Sequence, residues 1–225
     1  MAKKKVTGWI REPLAAVLGT RAKVVTLRIL WRAATPLPYR EVVRRSGMAY
    51  GSIDRALGEL TTTGVVEELE GGRERRVRLR TAHRLAAALG NLLQVESDFF
   101  SALRIELRTV AQGCEEIGLL TAALTGAVAR REELLGSAVD LLLIVRDAKA
   151  VLRCVEQFET LAELLAPRFG VQLQVIAYDL ATAQTMWRTR TAAAERNVRE
   201  AELVMGAPLL DVLSKPAKSQ TFNDH

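Results

Sequence analysis

Residues 139–145 read VDLLLIV, six apolar side chains in seven with no alternation. A strand with one wet face alternates polar and apolar residues, so an unbroken run of this length belongs in a sheet covered on both faces. Helices must therefore flank it, and the neighbouring sequence supplies them. Asp147 is placed to cap a long helix in which Val151, Val155, Phe158, Ala162 and Leu165 share a face with Cys154, and Gly170 stops it. The spacing predicts an earlier strand over Ile117–Leu124, a turn at Thr125-Gly126, a short helix over VARREELL, a later strand over VQLQVIAY and a further helix over 180–205. Strands alternating with helices predict an α/β domain spanning 113–212, with VMGAPLLDVL packed back on it. Residues 213–225, polar and interrupted by proline, are expected to form a flexible tail.

The rest of the chain has a different electrostatic character. Of 225 residues, the first 80 carry 17 Lys and Arg against 8 Asp and Glu, while the remainder carry 15 against 18. The front end is the one that seeks polyanions. No apolar run approaches the roughly 20 residues that a membrane helix needs, and MAKKK is not followed by an apolar signal core, so a cytoplasmic protein with no membrane partner is expected. Cys114 and Cys154 stand 40 residues apart without a partner motif and are read as reduced thiols, and His83 has no ligand-type neighbours. No metal site and no cofactor is expected.

Between residues 20 and 80 the cationic end acquires shape. Thr20 is placed to cap a helix with Val24, Leu27 and Trp31 on one face, which TPLP interrupts. A second helix, YREVVRRSG, turns Val42 and Val43 inward and ends at Gly47. In AYGSIDRALGEL, Ile53, Ala56, Leu57 and Leu60 form an apolar stripe, leaving Tyr50, Ser52, Asp54, Arg55 and Glu59 outward. VVEELE and RERRVRLR then flank Gly71-Gly72 as a β-hairpin, with Val77 and Leu79 alternating with Arg76, Arg78 and Arg80.

Three helices followed by such a hairpin resemble the winged helix-turn-helix domain of bacterial and archaeal transcription regulators, most tellingly in SGMAYGSIDRALGELTTTGVVEE. The resemblance covers roughly residues 13–82 of an N-terminal domain taken as 1–82. It implies that the helix beginning near Ala49 enters the major groove of double-stranded DNA while the wing reaches neighbouring backbone or minor groove. Tyr50, Ser52 and Arg55 are then placed to reach base edges, and Arg73, Arg75 and Arg76 to meet phosphates. A helical linker follows over 83–112, as two amphipathic helices or one bent at Gly90-Asn91. Its stripes are Leu85, Ala88, Leu89, Leu92 and Phe100, Leu103, Leu107, Val110. Burial in its own domain or contact in a homodimer are both open for it.

The stretch GAVARREELLGSAVDLLLIV, with its strand, turn, short helix and second strand, resembles the nucleotidyltransferase domain of the DNA polymerase beta superfamily. In that family a Gly-Ser turn holds nucleotide phosphates, and paired aspartates with a third acid bind two magnesium ions. By likeness, Gly126, Arg130 and Asp140 are the nucleotide-binding candidates. Several family positions differ here: Ala127 replaces the serine, Arg131 a usual glycine, Ala138 the first aspartate, and Gln172 or Gln174 the third acid. One carboxylate is a poor holder for two divalent cations, so no catalytic residue is assigned.

The fold expected is thus a two-domain α+β/α/β chain: winged helix-turn-helix, helical linker and nucleotidyltransferase-like α/β domain. The function expected is a sequence-specific DNA-binding transcription regulator, not an enzyme, whose second domain dimerises or senses a nucleotide or small ligand. The alternatives are an active nucleotidyltransferase of toxin-antitoxin type and an interaction module for another protein.

Overall fold

The structure, a computed structural model, describes residues 11, 20–69 and 74–214. The fold is mixed α and β, with a three-stranded antiparallel sheet and a four-stranded mixed one. The chain divides into two compact units, Arg11–Phe100 and the part beginning at Ser101.

The N-terminal unit runs α1 (Arg21–Trp31), β1 (Leu37–Pro38), α2 (Tyr39–Ser46), α3 (Tyr50–Thr62), β2 (Val66–Leu69) and β3 (Arg76–Leu79). TPLP, read as a mere interruption, supplies β1, which pairs antiparallel with β3 through Leu37↔Val77 and Pro38↔Arg76. The sheet order is β1-β3-β2. Val24, Leu27 and Leu30 from α1, Val42 from α2, and Ile53, Leu57 and Leu60 from α3 meet Val66 and Val77 of the hairpin in one core. Each such side chain contributes about 1.5–3 kcal/mol when fully buried. Thr20 does occupy the N-cap of α1, but its side chain makes no capping hydrogen bond. Gly71, Gly72 and Arg73, which the sequence assigns to the turn and wing, lie outside the described residues.

The segment expected as a linker is one continuous helix, α4 (Ala86–Gly113), in which Gly90 and Asn91 are interior residues. Within the N-terminal unit it contributes Leu93 to the core and Glu96 to a buried ion pair with Arg28 of α1. Of the first expected stripe, Leu85, Ala88 and Leu92 are exposed and Leu89 is half-buried, so that stripe is not buried within its own unit. The burying face is turned toward Leu93 and Glu96 because the Arg28 guanidinium fixes the helix by both carboxylate oxygens, at 2.9–3.0 Å.

The second unit runs β4 (Leu119–Thr125), α5 (Gly126–Ala129), β5 (Val139–Val145), α6 (Ala148–Phe169), β6 (Leu173–Asp179), α7 (Leu180–Arg188), α8 (Ala192–Glu200), β7 (Glu202–Gly206) and α9 (Leu209–Ser214). Its sheet order is β6-β5-β4-β7, with β5 and β6 parallel and the other pairs antiparallel. The central VDLLLIV run is buried as its composition requires. Asp147 caps α6 by accepting from the Lys149 and Ala150 amides, both at 3.0 Å. Cys154, Phe158, Leu161 and Leu165 are buried along α6.

Three expectations need correction here. The helix expected over 180–205 is two short helices and then a strand, β7, because Arg190 takes φ +54 and breaks the helical path. β7 ends at Gly206, whose α-carbon comes so close to the Leu120 backbone that an added Cβ would lie 2.9 Å from its carbonyl carbon. The helix expected over VARREELL stops after Ala129, since Arg131 takes φ +60. Leu213 and Ser214, expected in the tail, belong instead to α9, with Leu213 buried; the rest of the expected tail, 215–225, lies outside the described residues. Among the described residues no helix is long and apolar enough to cross a membrane.

Candidate functional site

Helix α3 is amphipathic, with one buried apolar face and one exposed face. Ile53, Ala56, Leu57 and Leu60 are buried, whereas Tyr50, Ser52 and Arg55 are exposed, Tyr50 by 59%. Ala49 is its N-cap, so Tyr50, Ser52 and Arg55 occupy the first turns. Among the described residues no carboxylate pairs with Arg55, although Lys23 and Glu59 are paired close by in the shallow groove that Arg55 helps to line.

Many of the remaining cations are shared out among fewer acids. Arg44 and Arg45 of α2 both donate to Glu41, and these bonds hold its carboxyl down at about 2. In the hairpin Glu67 stands opposite Arg78 and accepts from both Arg78 and Arg80. Glu68 accepts two bonds from Arg75. Arg76, opposite Leu69, is exposed and has no acidic partner among the described residues. Two arginines on one glutamate leave a net positive charge, and exposed pairs of this kind exchange readily for another anion because each is worth little. Arg75 is more committed than its neighbours: its guanidinium also lies 5.3 Å from the centre of the Tyr39 ring.

In the second unit the turn after β4 brings two expected residues together. Gly126 takes φ +67 and leads into α5, and Asp140 stands opposite Thr125 in the β4–β5 register and beside Gln174 in the β5–β6 register. The Asp140 carboxylate leans onto Gly126, where an added Cβ would collide with Oδ2 and sit 3.1 Å from Cγ. Burial pushes the Asp140 carboxyl above its usual range, and Arg130 pulls part of that back. Arg130 itself donates to Glu132 at 2.8 Å and to Glu200 at 2.7 Å, and these two bonds raise its pKa.

The charges of this turn are therefore largely spent on one another. A phosphate arriving at Gly126 would meet the Asp140 carboxylate, and the guanidinium that should attract it already holds two acids. The residue beside Asp140 is the neutral Gln174, and Ala138 immediately precedes the strand. Among the described residues no three His, Cys, Asp or Glu side chains converge closely enough to hold a metal ion.

Comparison with protein-family models, with curated sequences and with solved structures finds no match to this chain.

Residues that the sequence did not single out turn out to organise the N-terminal site. Tyr39 donates to Asp54 and stacks at a tilt on Tyr50, with ring centres 5.9 Å apart. Its hydroxyl pKa is raised, chiefly by burial and then by the bond to Asp54. Helical periodicity gives no signal for such a residue, because Tyr39 opens α2 and acts across elements. The second-unit thiols, Cys114 and Cys154, are free and buried; burial pushes Cys114 up to about 12.

Proposed function

We propose that this chain is a sequence-specific transcription regulator that reads double-stranded DNA with α3. The observation that carries the reading is the outward face of α3, with Tyr50, Ser52 and Arg55 exposed over a fully buried apolar face. The order helix, strand, helix, helix, strand, strand and the sheet order β1-β3-β2 support a winged helix-turn-helix unit. In this reading Tyr50, Ser52 and Arg55 meet base edges, while Arg76 and the shared arginines of α2 and the hairpin meet phosphates.

The second unit is read as a nucleotidyltransferase-like scaffold without catalysis. Support comes from the β4–turn–β5 arrangement followed by a parallel β6, and from Gln174 beside Asp140 where a second carboxylate would be required. Asp140 against Gly126 disfavours nucleotide sensing at that turn and leaves assembly as its better role. A homodimer belongs to the same reading: Leu92 and Val95 on α4, and Leu85 just before it, are 37%, 63% and 53% exposed.

Selection from a random duplex pool, followed by affinity measurements across a salt series, tests the DNA reading. It predicts an enriched sequence bound more tightly than a scrambled duplex at every salt concentration, with both affinities falling as salt rises. Failure to enrich any sequence would remove it.

A further inference from the structure

Tyr39 is the point where the hairpin and the reading helix meet. Its side chain is only 7% exposed, so its ring is closed to any external ligand. On one side it grips α3 twice: the hydroxyl donates to Asp54, and the ring lies against Tyr50, one helical turn earlier on the same edge. On the other side it holds the start of the second wing strand. The Tyr39 amide donates to the Arg75 carbonyl at 3.0 Å, and the Arg75 guanidinium lies over the ring while binding Glu68 of β2. One phenol thus joins α2, α3 and both strands of the hairpin.

We propose that Tyr39 is a positioning residue for base recognition, clamping the solvent-facing first turns of α3 to the base of the hairpin through Asp54 and Arg75. The proposal rests on the DNA-binding reading and deepens it. Arg75, in consequence, is a strut of the interface rather than one of its phosphate contacts. Base readout demands side chains held within a fraction of an ångström, and a helix tied at its exposed edge keeps that register where a helix held only by its apolar stripe can rock.

The test uses the full chain and two duplexes, the sequence enriched from a random pool and its scrambled counterpart, with the ratio of their Kd values as readout. Tyr39→Phe keeps the ring, the Arg75 contact and the backbone bond, and removes only the bond to Asp54. It is expected to keep the thermal midpoint and to lower the ratio about tenfold, within the range of coupling between contacting residues. Asp54→Ala should lower the ratio equally, the double variant no further, and Asp54→Asn, whose side-chain oxygen still accepts from Tyr39, should retain it. If Tyr39→Phe fails to fold, the exposed Asp54→Ala and Asp54→Asn pair decides. A wild-type ratio in Tyr39→Phe, or losses that add in the double variant, would overturn the proposal while leaving DNA reading intact. Absence of any enriched sequence for the unaltered chain would instead defeat the DNA reading, and this inference with it.

Discussion

The carboxylate of Asp140 rests directly on the α-carbon of Gly126, at the turn that joins β4 to α5. No larger residue fits beneath it, and φ at Gly126 is +67, a conformation that costs an L residue roughly 1–2 kcal/mol. Gly126→Ala should therefore destabilise the second unit by more than that backbone cost, and adding Asp140→Ala should recover the part due to collision. Chemical denaturation of the single and double variants checks this; additive losses would show that the two residues are independent.

Asp140 also sets a pH dependence. Burial raises its folded-state pKa above the unfolded value, so its contribution to stability is fully present below the unfolded pKa, ordinarily 3.8, and is lost as pH rises through the folded value. At neutral pH the ionised form is a burden, and Asp140→Asn should raise the unfolding midpoint there while leaving it little changed in acid. A midpoint lowered at neutral pH would assign Asp140 a stabilising charge instead.

Arg28 and Glu96 form a buried bidentate pair that ties α4 to α1. Glu96→Ala would break this buried pair by removing one partner, at a cost of about 3–5 kcal/mol. Equilibrium unfolding of the variant should show that loss, whereas the exposed Glu132→Ala should change stability by well under 1 kcal/mol.

These examples show where the sequence was informative and where it was not. The unbroken VDLLLIV run and the stripe Ile53, Ala56, Leu57, Leu60 declare their burial because periodicity is a local property, and both are buried. Asp147 and Gly170 were legible as the ends of α6 for the same reason. β7 was not, since its pairing with β4 joins residues some eighty positions apart and positive-φ residues redirect the chain before it, at Arg190, and at its end, at Gly206. The turn of α4 about its axis was equally hidden: an Arg28–Glu96 pair 68 residues apart decides which stripe faces the core. At the candidate interface, the residue types on α3 were readable, but their bracing by Tyr39, and the pairing of Arg75 and Arg78 with Glu68 and Glu67, arise only from tertiary placement.

Arg131 supplies a gain rather than a loss. It is exposed and holds φ +60 at the position where the resemblance expects glycine. Arg131→Gly should stabilise the chain by about 0.5–1 kcal/mol, the relieved left-handed strain exceeding the extra freedom of glycine in the unfolded state. Thermal unfolding at neutral pH measures it, and a lower midpoint would mean that the arginine side chain contributes more than its backbone costs.

The central claim, that α3 specifies while the cationic hairpin anchors, is tested most directly by the salt dependence of two variants on enriched and scrambled duplexes. Arg55→Ala is predicted to weaken the enriched duplex by about 1–3 kcal/mol with little effect on the scrambled one. Arg76→Ala is predicted to weaken both alike and to reduce the slope of log affinity against log salt by about 1. Identical losses in the two variants, or wild-type binding in both, would contradict it.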